Sequence, residues 1–321
     1  SLYYQHNPDG SFYYDPAHGF VIDKSDIVTK LHVNNNDYGW FPKVQISHNK
    51  GTLVLGGEMR IHKSEHYGEI AFANALPDGT PPNYQYYYYN GKKRTLSIYA
   101  NEVYNFNNFL TGMIGLQYAN HRYSLDNDKF KPYTFDVNYD FFTPRVGINL
   151  IGPYNLRFFA NVSYAKREPR LKDIYDAESP YSTPNFRVID TVNKIYQDPL
   201  VKPEEMLDYE FGINYKSPAT NASLNFYWMD FKNEIVSNGQ LDNVGQPING
   251  NAGRSVHKGI EFEYSFIPFY LYKGWNNFSF DYNLTLSDNY FKEYTEILGR
   301  DSAGNVIYGN DYSGNQILLN P

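Results

Sequence analysis

The strongest constraint in this sequence is a period of two. In "LRFFANVSY", Leu156, Phe158, Ala160, Val162 and Tyr164 fall on one side, with Arg157, Phe159, Asn161 and Ser163 on the other. "YEFGINY" sets Tyr209, Phe211, Ile213 and Tyr215 against Glu210, Gly212 and Asn214. "GIEFEYSF" sets Ile260, Phe262, Tyr264 and Phe266 against Glu261, Glu263 and Ser265, and "FSFDYNLTL" repeats the pattern at 278–286. Successive side chains of a strand point to opposite faces, so each run specifies a strand with one apolar and one polar face. No segment carries a convincing helical period. The pattern predicts about ten strands, at roughly 38–48, 52–65, 92–104, 109–123, 138–150, 155–166, 205–216, 221–236, 251–266 and 277–291. Many exceed the about 5–6 residues usual in globular sheets. They suit the about 9–11 residues that carry a tilted strand across a bilayer.

The connections alternate short and long. Short turns are "NKG" at 49–51, "FNN" at 106–108, "IGPYN" at 151–155 and "SPAT" at 217–220. Long loops are expected near 1–37, 66–91, 124–137, 167–204, 237–250 and 292–313. Tight turns at one end and large loops at the other are the asymmetry of an outer-membrane barrel. Aromatics gather where strands meet turns: Trp40, Phe41, Tyr104, Phe106, Phe109 and Tyr154, with Phe266, Phe269, Tyr270, Tyr272, Trp275 and Phe278 around 267–276. An amphipathic ring is most stable at headgroup level. The run "NYQYYYYNGKK" at 83–93 therefore reads as an outer girdle where a long loop re-enters the wall. Tyr86 to Tyr89 are expected to alternate between lipid and vestibule.

Alternation alone does not say which face is inside, because a soluble sandwich or lipocalin turns its apolar face inward. Three features favour the inverted arrangement. The polar face carries large charged groups (Arg60, Arg145, Arg157, Glu210, Glu261, Glu263), the strands are long, and the loops are asymmetric. The fold expected is all-β: an antiparallel transmembrane β-barrel, which in lipid must close so that every backbone group is paired.

Composition removes several classes. The 321 residues include no cysteine, which excludes a disulfide framework and thiolate metal sites. Mean hydropathy is -0.60 and no apolar run approaches ~18 residues, so no membrane helix is expected. A net charge of -7 argues against nucleic acid, whose phosphates need a basic face. The sequence opens at Ser1 without a methionine and stops at "NQILLNP", at the apparent start of another strand. It reads as a single partial barrel domain, 1–321, from a longer chain.

Candidate sites are few. In "HKSEH", His62 and His66 share one face of a strand but stand ~13 Å apart at ~3.3 Å per residue. No ion bridges that gap at bonding distances near ~2 Å, so polar lumen or rim residues are expected and no metal site. No nucleophile elbow or phosphate-binding glycine loop occurs, and neither a catalytic residue nor a cofactor is expected. Gly56, Gly57 and Gly115 are expected to permit sharp wall curvature. The densest charged stretch, "AKREPRLKDIYDAESP" at 165–180, opens the longest loop. Arg167, Arg170, Lys172, Asp173 and Tyr175 there suit an anionic or metal-chelate ligand; the alternative is a salt-bridge network anchoring the loop at the rim. Tyr86 and Tyr88 are the second candidate set, and "DGSFYYDPAHGF" at 10–20 is a third segment.

Several stretches resemble the barrel of TonB-dependent outer-membrane receptors. "FFTPRVGINL" at 141–150, followed by "LRFFANVSYAKREPRLKDIYD" at 156–176, resembles that family's mid-barrel strand pair. "VKPEEMLDYEFGINYK" at 201–216, "NFYWMDFKNEIV" at 225–236 and "NAGRSVHKGIEFEYSF" at 251–266 resemble the following segments in the family's order. The resemblance covers about 141–290, nearly half the chain; residues 38–124 fit less specifically. It implies a barrel of about 22 strands plugged by an N-terminal domain. It also implies uptake of a scarce ligand such as a ferric siderophore, energised by the inner-membrane TonB complex acting through that plug. The implied location is the outer membrane of a Gram-negative bacterium, with outer-membrane lipid around the wall. The plug, the TonB-contacting box and the last strands are not found in this sequence. The matching motif positions are structural, so no ligand residue transfers from them. A passive porin of ~16–18 strands and a soluble secreted β-protein that binds glycans through its aromatics are the alternatives.

Overall fold

The computed structural model describes residues 2–17, 19–179, 182–190, 192–193, 195–241, 247–268, 278–300 and 306–317. Eleven strands form one antiparallel sheet: β1 (Ile27–Trp40), β2 (Lys43–His48), β3 (Gly51–Ala73), β4 (Gln85–Asn105), β5 (Leu110–Asp126), β6 (Phe135–Ile151), β7 (Leu156–Arg167), β8 (Glu204–Lys216), β9 (Thr220–Leu241), β10 (Pro247–Phe266) and β11 (Phe280–Glu293). Each pairs with its neighbour in sequence from β3 to β11, and both β1 and β2 pair with β3. The sheet is open, with β11 at one edge and β1 and β2 at the other.

β1 and β2 are one strand interrupted at Phe41-Pro42. Trp40 lies opposite Met59 and Lys43 opposite Gly56. Proline cannot donate to a ladder, but its carbonyl still accepts from the Gly57 N–H at 3.0 Å. Asparagines take left-handed conformations where the wall turns or bulges: Asn127 (φ 54), Asn155 (φ 61) and Asn233 (φ 54).

The ladder registers put the alternating rows on continuous faces. One face carries Met59, Leu96, Ile98, Leu116, Tyr118, Phe142, Val146 and Val162. It continues through Phe211, Phe226, Trp228, Ile260, Leu284 and Leu286. These side chains meet no protein layer: Ile98 is 63% exposed and Leu286 58%. An apolar band this continuous is far larger than the patches a water-soluble monomer exposes, and it is the surface hydrocarbon would cover. The other face carries Arg60, Ser97, Gln117, Arg145, Asn161, Glu210, Asn225, Glu261 and Asp281. This is the lumenal face. Among the described residues no helix is long and apolar enough to cross a membrane.

At the turn end, the strands begin and end close to where the alternation predicts. At the loop end, β1 starts at Ile27, inside the segment read as the first loop. β3 runs on to Ala73 and β4 starts at Gln85, so the connection between them shrinks from 66–91 to 74–84. Of the aromatic turn near 267–276, Phe269, Tyr270, Tyr272 and Trp275 lie outside the described residues.

A cluster of buried apolar side chains lies on the lumenal face at the loop end. The wall supplies Tyr87, Tyr89, Tyr123, Leu125, Phe135, Val137, Tyr139 and Phe141. The 168–203 connection folds back over them with Ile174, Tyr175, Ala177, Phe186 and Tyr196.

The two faces predict unequal tolerance of charge. Phe211→Arg, on the apolar band, should destabilise the folded full-length protein by about 2–4 kcal/mol in lipid. Ser223→Arg, on the lumenal face, should cost far less. Urea titration of both variants in lipid vesicles tests this.

Candidate functional site

On the lumenal face at the loop end, charged, aromatic and buried groups converge. Its centre is a single helical turn, α1 (Leu171–Ile174), at the start of the 168–203 connection. Asp173 is buried and ties this turn. Its Oδ2 accepts from the Arg170 backbone N–H at 3.0 Å and from Arg170 Nε at 3.1 Å, and Oδ1 accepts from Arg170 Nη2 at 2.8 Å. Asn249 on β10 adds a hydrogen bond to Asp173 Oδ1 at 3.2 Å. Two residues on, Tyr175 is 1% exposed and donates from its hydroxyl to Asp128 Oδ2 at 3.1 Å. Burial raises the Tyr175 phenol above its ordinary range, and the Asp128 carboxylate raises it further, so the hydroxyl stays a donor.

Other groups pin the same connection to the wall. Lys172 Nζ lies 3.7 Å from Glu178 Oε2, and Glu178 Oε1 lies 3.6 Å from His66 Nδ1 on β3. His66 stacks on Tyr89 with ring centroids 4.7 Å apart. At the root of the connection, Lys93 Nζ donates to Glu168 Oε1 at 2.5 Å and lies over the Tyr123 ring. Burial raises the Glu168 carboxyl, but the hydrogen bond and charge of Lys93, a backbone hydrogen bond and His121 together hold the group below its usual range. Lys131 Nζ donates to the Ser179 carbonyl from the neighbouring loop. Arg167, the last residue of β7, pairs with Glu204 Oε2 at 2.9 Å.

The structure thus gathers Arg167, Arg170, Lys172, Asp173 and Tyr175 at one rim and engages each with a neighbour. Arg167 and Arg170 remain open, with 61% and 64% of their side chains exposed, so each guanidinium presents surface beyond the carboxylate it holds. Tyr86 and Tyr88 separate. A register shift between Gly68 and Glu69 lays both Tyr86 and Tyr87 beside Gly68, and Tyr86 packs against the buried lumenal cluster. Tyr88 lies on the opposite face, donating to Glu65 Oε1 at 2.5 Å beneath Lys129 Nζ, 3.4 Å from the ring centroid. The expected strict alternation of Tyr86–Tyr89 is therefore broken by one bulge. His62 and His66 share the lumenal face but take different partners, Asp37 at 2.9 Å and Glu178. Among the described residues no cluster of metal-ligating side chains forms. Ser255 and His257 both bind the buried Glu234 carboxylate, so serine and imidazole are linked through the acid and not to each other.

Further down the lumen, side chains lie across glycines of the adjoining strand. Tyr99 covers Gly56, Phe159 covers Gly212 and Tyr227 covers Gly259, each pair directly opposite in register. Arg145 reaches over Gly115, where a Cβ would stand 2.6 Å from its Nε, to donate from Nη2 to Asn101 Oδ1 at 2.8 Å. These glycines let a large side chain lie flat on the wall. A lumenal cavity of about 630 Å³, with Asn101, Gln117, Thr143, Arg145 and Ser163 in its lining, follows from that arrangement.

A strand-only wall, greasy outside and polar inside, with a folded loop plate over one end of the lumen, matches one known class of molecule. The family model for the TonB dependent receptor-like β-barrel matches residues 1–321. The chain belongs to this family. Solved structures agree in fold. The copper transporter OprC superposes with a TM-score of 0.62 at 13% identity, covering 82% of this chain and 38% of that one. The unliganded ferric citrate transporter FecA gives 0.60 at 16% identity, over 90% and 40%. The ferric yersiniabactin uptake receptor FyuA from Yersinia pestis gives 0.56 at 14%, over 85% and 38%. Comparison with curated protein sequences gives no match. The TonB-dependent-receptor chain thus spans 38–40% of the length of these three receptors.

Two substitutions test the geometry. Gly212→Val drives a side chain into the Phe159 ring and should cost about 1–3 kcal/mol by overpacking, with recovery in Gly212→Val/Phe159→Ala. Tyr175→Ala removes a fully buried ring from the loop plate. Limited proteolysis should then cleave within 168–203 while the wall strands stay protected.

Proposed function

We infer that this chain forms wall, lumen and capturing loops of an outer-membrane uptake receptor energised by TonB. Its ligand would be a scarce small molecule or metal chelate of the ferric-siderophore kind. The observation that carries the reading is the combination of an outward apolar band with a charged, loop-plated rim over a polar lumen. Arg167 and Arg170 are proposed as ligand contacts, because each is anchored by a carboxylate yet largely exposed. A pre-oriented guanidinium recognises carboxylate or catecholate oxygens at lower entropic cost than a free one. Lys172, Asp173 and Tyr175 would set the shape of that rim. In this reading Tyr86 packs beneath the rim and Tyr88 braces the outer side of the wall.

The mechanism is mechanical and needs no chemistry on the ligand. Ligand bound at the loops would bias a plug domain supplied by the rest of the protein, and the inner-membrane motor would pull on that plug. This accords with the copper transporter OprC, the ferric citrate transporter FecA and the ferric yersiniabactin uptake receptor FyuA. The localisation proposed is the outer membrane of a Gram-negative bacterium.

The test is complementation of a deletion strain under iron limitation. The full-length gene should restore growth. Arg167→Gln/Arg170→Gln should reduce growth at limiting iron while leaving the amount of folded protein in the membrane unchanged. Equal growth of variant and wild type would remove these arginines from the ligand site. Unimpaired growth of the deletion strain would point to a ligand other than iron.

A further inference from the structure

The two rim arginines are oriented from outside their own segment. Each is held by a buried carboxylate, Arg167 by Glu204 and Arg170 by Asp173. Both carboxylates also accept a hydrogen bond from the β9–β10 hairpin. Glu204 Oε2 accepts from the Ile235 backbone N–H at 2.9 Å, and Asp173 Oδ1 accepts from Asn249 Nδ2 at 3.2 Å. The ladder explains why the hairpin can do this. β8 begins at Glu204, and its pairing with β9 ends at Glu205 and Lys232. β9 runs on to Leu241 against β10, so the edge that faced β8 has lost its strand. A backbone N–H on such an edge needs an acceptor. The Glu204 carboxylate supplies one for Ile235, just past Asn233 in its left-handed conformation (φ 54).

Asparagines on β10 complete the grip. Asn251 lies opposite Ile235 in the ladder, and Asn249 lies opposite Ser237. Asn251 holds both backbone groups of Lys202: Oδ1 accepts from its N–H at 2.7 Å, and Nδ2 donates to its carbonyl at 3.0 Å. Nδ2 also donates to the Asn233 carbonyl at 2.8 Å, which ties the grip to β9. Residues two apart on one strand share a face. Asn249 and Asn251 therefore reach the two feet of the 168–203 connection from one row, the first at the α1 turn and the second at Lys202. An amide side chain is donor and acceptor at once, so it stands in for a neighbouring strand.

We propose that Asn249 and Asn251 are positioning residues for ligand capture, and that the β9–β10 hairpin sets the placement of Arg167 and Arg170. The inference rests on the reading of these arginines as ligand contacts. A guanidinium meets carboxylate or catecholate oxygens through paired, directional hydrogen bonds, so displacing its anchor costs affinity. Both anchors are held by one hairpin, Glu204 through Ile235 and Asp173 through Asn249. The arginines are thus fixed relative to each other before a ligand arrives, which lowers the ordering cost of binding. The asparagines act through Asp173, Lys202 and Glu204 and need no contact with the ligand.

The test uses the full-length protein and two readouts. The first needs no ligand. Hydrogen–deuterium exchange should rise at least about fivefold at 170–176 in Asn249→Ala and at 200–204 in Asn251→Ala, with the wall strands unchanged. The second is uptake of radioactive iron by the deletion strain, with ferric citrate and ferric enterobactin, a tris-catecholate, as probes. At matched amounts of receptor in the membrane, each variant should raise the half-saturating concentration of a transported probe about threefold or more and leave the maximal rate unchanged. Asn249→Asp sets a like charge against Asp173 and should exceed Asn249→Ala. Asn249→Gln keeps the donor and should recover part of the loss. Should Asn251→Ala not accumulate, Asn251→Asp, which keeps the acceptor for Lys202, takes its place. Wild-type exchange, wild-type half-saturation, or a fall in maximal rate alone would overturn the assignment. Should the wild type transport neither probe, or Arg167→Gln/Arg170→Gln transport them with unchanged half-saturation, the reading of the arginines fails and takes this role with it. Raised exchange would then mark the asparagines as a structural clamp.

Discussion

The interaction on which everything else depends is the inter-strand backbone hydrogen bond in a medium without water. In hydrocarbon an unpaired N–H or C=O costs several kcal/mol, so a chain of strands crosses a membrane only when each strand is paired along its length. The ladder from β3 to β11 meets that demand with neighbours in sequence, joined by short turns at one end. Once the ladder is fixed, the side-chain period of two does the rest. Each residue is committed to lipid or lumen, and a one-residue slip would exchange the two faces. That is why Phe262 and Glu261, adjacent in the chain, meet opposite environments.

The lumenal face shows how such a wall is made both smooth and specific. A strand rich in large polar residues would crowd the interior. Glycines at 56, 115, 212 and 259 leave flat places where Tyr99, Arg145, Phe159 and Tyr227 lie down across the sheet. The ring shields backbone that glycine leaves bare, which supports the ladder at its otherwise weakest points. At the loop end the solution differs. There the wall is no longer lined by lipid, and the 168–203 connection supplies a second layer that buries tyrosines on its underside. Charged residues at the rim serve both tasks: Asp173 and Glu168 hold the plate, while the outer parts of Arg167 and Arg170 stay in water.

How much of this was legible in the sequence follows from the same physics. β8, expected at 205–216, runs Glu204–Lys216, because Phe211 and Ile213 meet lipid and Glu210 and Asn214 do not. Where both faces are wet or packed, hydrophobicity no longer alternates. Along 62–67, His62, Ser64 and His66 oppose Lys63, Glu65 and Tyr67, so the loop-side extension of β3 leaves no apolar period to read. The bulge that turns Tyr86 inward depends on register against Gly68, a tertiary fact absent from the local pattern. Glycine positions were visible, and curvature was the expected use; the rings lying over them became evident only once the register was known. The charged stretch at 165–180 was found from its density, but its partners His66, Lys93, Asp128 and Glu204 come from elsewhere in the fold.

The central claim is the orientation of the two faces, and it is directly measurable because these 321 residues contain no cysteine, once any cysteine elsewhere in the full-length protein is replaced by serine. Single cysteines at Phe262 and Leu284, and at Glu261 and Asn283, can be introduced into the full-length protein reconstituted in phospholipid vesicles. A fluorophore at the first pair should be quenched by brominated acyl chains and shielded from a water-soluble thiol reagent. The second pair should behave in the opposite way. Quenching by lipid at Glu261 and Asn283, with Phe262 and Leu284 sealed from both lipid and water, would contradict the account.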